Sequence, residues 1–232
     1  MAESDPRIKM RFQFVKGDEL KYISHLDTMR LLLRGLRRGA FPLVFSQGYH
    51  PHPLLGLSPP LPLGVTSEAE YGEILLREAV PPGEFMRRLN GCLPGGLQLV
   101  RAAEADLSEP PLMAVINAAL YRAFPEGEEG REALEEGIRR LLERKEIPVI
   151  RKRQGKKPSR VDLRPHIFAI RVAGEEEPCL ELLLRTGSSG GASPGEILRE
   201  LPGKEGADGQ LPWRLHRAGL YIYRDGFLRE PM

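Results

Sequence analysis

His50 and His52 lie two residues apart in SQGYHPHP (46–53), stiffened by Pro51 and Pro53. Three chemistries suit such a pair: a metal clasp, an acid–base pair, or a rigid loop built to touch something. Zinc or iron would need three or four nitrogen and carboxylate ligands, with His25 and Asp27 supplying the rest. Prolines that stiffen the loop oppose closing both imidazoles on one ion, so no metal and no cofactor is expected. His25 opens a helix, where the positive end of the dipole favours the neutral base. Beside an RNA-binding loop such an imidazole could act as general base in phosphodiester cleavage. No paired carboxylates and no nucleophile elbow accompany it, so His25 is the one catalytic candidate and not a firm one.

The strongest local signal is RKRQGKKPSR (151–160), with six positive charges and no negative one. Arg151, Lys152, Arg153, Lys156, Lys157 and Arg160 are expected to hold phosphates. Arg164 extends the run and Asp162 interrupts it. Gly155 and Pro158 break regular structure, so the charges project from a loop. In the other loop Gln47, Tyr49 and His52, with Gly48 between them, are expected to contact bases or sugars. Tyr49 and Phe41 could stack on unpaired bases. Phe12 and Phe14 share a face with Ile8 and Met10, which makes them core and not an RNA-recognition-motif platform. GSSGGASPG (187–195) lacks the order of a phosphate loop and reads as a connector. LSPPLPLG (57–64) reads as a stiff polyproline-like spacer.

The elements that must position these loops follow from periodicity. Residues 8–15 alternate, with Lys9, Arg11 and Gln13 on the polar face, and form a strand. Ser24 caps a helix with Asp27 at its third position, and Gly39 closes it. Strands are expected over 41–46, 70–78 and 96–102, and a helix over 81–94. This is the β-α-β-β-α-β plan of ferredoxin-like domains. A polar linker over 104–111 follows. Then come a strand over 114–124, a helix over 128–146, strands within 147–186, a capped helix over 193–201 and a final strand or hairpin.

The halves echo each other in letters. FPLVFSQG (41–48) matches IPVIRKRQG (147–155), EILLRE (73–78) matches ELLLRT (181–186), and PGEFMRRL (82–89) matches PGEILREL (194–201). Three matches in order predict a tandem duplication of an α+β, ferredoxin-like domain: 8–103, then 112–228 with its basic loop over 151–164. SQGYHPHP and RKRQGKKPSRVDLRP then occupy the same slot, and loops on a rigid scaffold commonly carry function.

Composition narrows the classes. The chain has 232 residues, 41% of them hydrophobic, enough for packed cores. A formal charge of +2 confines any nucleic-acid signal to a local patch. Cys92 and Cys179 form no zinc spacing and are expected as reduced thiols. No apolar run reaches the ~20 residues of a membrane helix, so no membrane contact is expected and the chain is placed in the cytoplasm.

KYISHLDTMRLLLRGLRRGAFPLVFSQGYHPHPLLGLSPPLPLGVTSEAEYGEI closely resembles the first half of the radical-SAM-linked domain called DUF2344, and QGKKPSRVDLRP resembles a string of its second half. The resemblance covers residues 8–225. Its pattern falls on Ser24, His25, Leu26 and Asp27; on Ser46, Gln47, Gly48, Pro51, His52 and Pro53; and on Gly155, Lys156, Asp162, Leu163, Arg164 and Pro165. It departs at His50, where Asn is usual, which leaves His52 the more meaningful histidine. The resemblance implies a B12-binding radical SAM partner, fused or separate, and a link to RNA or translation. A radical SAM enzyme needs three clustered cysteines, and this chain has two, far apart. The expected function is therefore an RNA-binding or substrate-recognition module serving such a partner. The alternatives are a metal-independent ribonuclease using His25, and a protein-docking domain without RNA contact.

Overall fold

The computed structural model describes residues 7–127, 130–152, 155, 157–188, 190–201 and 212–232. It is an α+β fold with a large, mostly antiparallel sheet. The chain forms two compact units. One comprises residues up to Ile116 together with Gly219–Met232; the other is Asn117–Ala218.

In the first unit, β1 (Ile8–Lys16) sends Met10, Phe12 and Phe14 into the core. Helix α1 (His25–Arg38) begins where Ser24 Oγ accepts from Asp27 N–H at 3.1 Å, and it buries Leu32 and Leu36. There follow β2 (Leu55–Leu57), β3 (Thr66–Leu76), α2 (Pro82–Asn90), β4 (Leu97–Ala105) and the single turn α3 (Leu112–Val115). β1 lies between β3 and β4, antiparallel to both, and β2 pairs antiparallel with β3. Phe85 of α2 packs on Phe12 and Phe41, centroids 5.8 and 4.9 Å apart, tying helices to sheet.

Three sequence expectations change here. The strand expected over 41–46 makes only isolated bridges, Leu43 to Leu76 and Phe45 to Pro53. Val44 N–H donates to Leu75 O, and Leu54 N–H donates back to Val44 O. This arm therefore folds against residues 52–54, and the next sheet strand is β2, whose three residues are too few for a periodic signal. The strand expected over 114–124 starts only at Ala118. Pro111 launches α3 instead, and Leu112 and Ile116, four apart, bury one side of that turn.

The third change concerns the linker over 104–111. Lys9 and Arg11 were expected to face solvent, yet they are 8% and 5% exposed. Lys9 Nζ donates to the carbonyls of Asp106, Leu107 and Glu109 at 3.0, 3.1 and 2.7 Å. Arg11 donates to Pro110 O at 2.8 Å, to Glu73 at 3.2 Å and to the Glu109 carboxylate. Buried cations require such partners. They hold this segment within the first unit, which runs to Ile116.

The second unit runs β5 (Ala118–Pro125), α4 (Arg131–Glu143), β6 (Pro148–Arg151), β7 (Ser159–Asp162), β8 (Ile167–Ala173), β9 (Cys179–Arg185) and α5 (Pro194–Arg199). It ends in the first part of β10 (Trp213–Arg224), whose remainder, from Gly219, belongs to the first unit and pairs with β11 (Phe227–Arg229). Leu134, Ile138 and Leu141 of α4 and Ile197 and Leu198 of α5 are buried, as are Leu180, Leu182 and Leu184 of β9. Ser193 and Glu196 form a full capping box at α5. The strand order is β10-β5-β9-β8, with β6-β7 a separate ribbon.

The order β4-β1-β3-β2 in the first unit and β10-β5-β9-β8 in the second agree position for position. Each matched string falls on corresponding elements: β3 and β9, α2 and α5, and the arm entering each ribbon.

Candidate functional site

Both loops singled out by their residues are tips of antiparallel ribbons inserted after the first helix of a unit. In the first, Ser46 N–H donates to His52 O at 2.8 Å, and His52 N–H donates to Ser46 Oγ at 3.2 Å. His52 Nδ1 lies 2.9 Å from the same hydroxyl. These contacts latch the base of a five-residue tip, Gln47 to Pro51, all of it exposed. Tyr49 is 101% exposed at the apex. Gly48 takes φ +121°, a conformation that favours glycine. His52, expected as a base or sugar contact, is exposed and also serves the loop as its latch. Phe41, expected to stack, is 6% exposed between Phe85 and the Arg88 guanidinium, and belongs to the core.

The second ribbon pairs Val149 with Val161 and Arg151 with Ser159. Its tip also carries a glycine with positive φ, Gly155 at +74°, as the first tip carries Gly48. Lys152, Lys157 and Arg160 are exposed; Arg160 meets Glu146 at 3.7 Å, and both of those side chains are largely in solvent. Arg153 and Lys156 lie outside the described residues.

Arg151 is not available as expected. Its Nε donates to Glu196 Oε1 at 2.6 Å, and its Nη2 donates to Glu196 Oε2 at 2.8 Å and to Gly191 O at 2.6 Å. Burial pushes the Glu196 carboxyl up, but the bonds from Arg151 and Ser193 outweigh it and hold it below the ordinary range. Asp162 is likewise structural. Its carboxylate accepts from the N–H of Ile147 at 2.7 Å and of Arg164 at 3.0 Å, and these bonds hold its pKa low. Half-buried Arg164 opens the short turn that follows.

His166, in that turn, was not singled out by its position in the sequence. Its Nδ1 is buried with no hydrogen-bond partner among the described residues, as is Arg185 Nε. Burial, then the charges of Arg151 and Arg185, push its pKa below the ordinary histidine value.

His25 is half-buried at the start of α1. It lines a cavity of ≈ 10 Å³ with Lys16, Thr28, Ser58 and Glu70, all nearly inaccessible. That is room for about one water and far too little for a nucleotide. No pattern in the sequence signals this polar cluster, because its members come from four separate segments. Among the described residues no three His, Cys, Asp or Glu side chains gather as metal ligands, and no helix is long and apolar enough to cross a membrane. Cys92 and Cys179 are free thiols.

No curated protein matches the chain. A family model described as an uncharacterized protein conserved in bacteria, DUF2344, matches residues 9–194, and the chain belongs to that family.

Proposed function

We propose that this chain is an RNA-binding, substrate-recognition module made of two copies of a ferredoxin-like unit, serving a B12-binding radical SAM partner. The duplication is supported by the identical strand orders and by the matched strings on corresponding elements. The RNA reading rests on one observation above all: Tyr49 stands fully exposed at the apex of a latched ribbon. An aromatic ring without packing partners is a ready surface for a base, worth about 1–3 kcal/mol per stacked base. The second ribbon supports it by carrying Lys152, Lys157 and Arg160 into solvent. The partner is the one that the resemblance to radical-SAM-linked chains names.

The test is fluorescence anisotropy with labelled single-stranded RNA, for the native chain and Tyr49→Ala. Native binding at low salt, weakened by roughly tenfold or more in the variant, supports the reading. Absence of native binding, or equal binding by both, removes it.

A further inference from the structure

Among the described residues β6 has a strand on one side only, since the two-stranded ribbon is β6 and β7. Leu163 N–H donates to Ile147 O at 2.9 Å. Antiparallel ladders alternate bonded and non-bonded pairs. In the register Pro148 to Asp162 and Val149 to Val161, that alternation assigns Val149 and Arg151 to bonds with β7. The N–H and C=O of Ile150 then point away from β7. The Ile150 side chain is itself 70% exposed.

Facing this edge is α5, which presents Glu196, Arg199 and Glu200, at i, i+3 and i+4, on one side. Between them lies a groove of ≈ 580 Å³, lined by residues 148–152 and these three. Side chains alternate along a strand. Residues from both faces of β6 border the groove, so the main chain of the strand is reached from it as well as the side chains. A four-residue strand spans about 13 Å, and the volume falls in the range of built ligand sites.

The charges in the groove are unequal. Arg151 and Glu196 satisfy each other, and Arg144 Nη1 donates to Glu200 at 2.8 Å. Lys152 and Arg199 are exposed and make no ion pair among the described residues. The uncompensated charge is positive.

We infer that the groove between β6 and α5 takes an extended acidic peptide segment. The segment adds as a strand to β6, bonds the main chain of Ile150, and sets a carboxylate beside Arg199 and Lys152. Addition of a strand to an exposed edge is a recurrent mode of peptide capture. An unpaired edge is matched by the alternating amides and carbonyls of a peptide, which a phosphodiester chain lacks. This inference stands apart from the tip contacts of Tyr49 and shares only Lys152 with the RNA reading.

The test uses a capped, fluorescein-labelled pentapeptide of alternating glutamate and valine, with anisotropy for affinity and amide hydrogen exchange for location. Binding with at least roughly tenfold slower exchange at Ile150 is expected. A peptide N-methylated at its central amide should bind roughly tenfold more weakly or worse. Ile150→Pro should lose binding similarly, since a proline is tolerated at an outward edge position. Arg199→Glu should reverse the preference toward a lysine–valine peptide. Equal binding of the N-methylated peptide, unchanged exchange at Ile150, no binding of either peptide, or protection of Ile150 by RNA alone would overturn the inference. If Ile150→Pro fails to fold, the N-methylated peptide decides.

Discussion

Arg151 on β6 and Glu196 on α5 meet as a two-bonded pair, Nε to Oε1 at 2.6 Å and Nη2 to Oε2 at 2.8 Å. The ion pair fastens the arm of the basic ribbon to the helix layer of its own unit. An arginine that composition assigns to phosphate is therefore scaffold. Arg151→Ala should lower stability by about 1–3 kcal/mol in denaturant unfolding. It should leave the salt dependence of any RNA binding unchanged. The carboxyl of Glu196 is held below its unfolded value of 4.5. Its contribution is thus complete above that value and is lost as pH falls through the lower folded value. Native stability should fall in that acidic window, and Glu196→Gln should flatten the fall.

His166 should titrate below the ordinary 6.5, because burial and the charges of Arg151 and Arg185 oppose its proton. A histidine depressed in the folded state stabilises above the unfolded pKa and loses that contribution as pH falls through the folded one. Stability should decline on acidification below about 6.5, less so in His166→Gln. The imidazole midpoint is read by NMR. A midpoint at or above 6.5 contradicts the burial argument.

Gly72 on β3 lies directly across from Phe12 on β1, and a Cβ there would come within 2.3 Å of the edge of the Phe12 ring. Phe12 is wholly buried against Phe85 and has nowhere to move. Gly72→Ala should cost about 1–3 kcal/mol, as overpacking of a filled core does. Calorimetry checks it; an unchanged melting temperature would show that the ring relaxes.

For the tips, the described cations free of tight pairing are Lys152, Lys157 and Arg160. On a single strand each phosphate contact contributes about −0.7 to the slope of log K against log salt, so three give about −2. The triple alanine variant should flatten the slope by that amount with little change in stability. Tyr49→Ala should weaken binding with the slope intact, because a neutral ring releases no counterions. Ser46→Ala should speed amide exchange across residues 47–52 by unlatching the tip, and it should weaken binding less than Tyr49→Ala does.

Local periodicity and capping were enough to locate most of the framework. The alternation of Ile8 to Phe14, the Ser24 and Ser193 caps, and the repeated EILLRE and PGE strings each fall on the elements they foretold. Neighbours in sequence carry those signals, so no distant contact was needed to read them. Gly48 and Gly155 likewise marked both tips, because a bend with positive φ favours glycine wherever the ribbon sits. What each charge does was another matter. Lys9 and Arg11 read as a solvated face until the carbonyls of residues 106–110 covered them. Arg151 read as a ligand until Glu196, 45 residues away, met it. That His52 also latches the loop through Ser46 was not legible either. The unpaired edge at Ile150 has no signature in letters at all. A charge or a backbone amide is free only if no partner reaches it, and that is decided by packing between segments far apart in the chain.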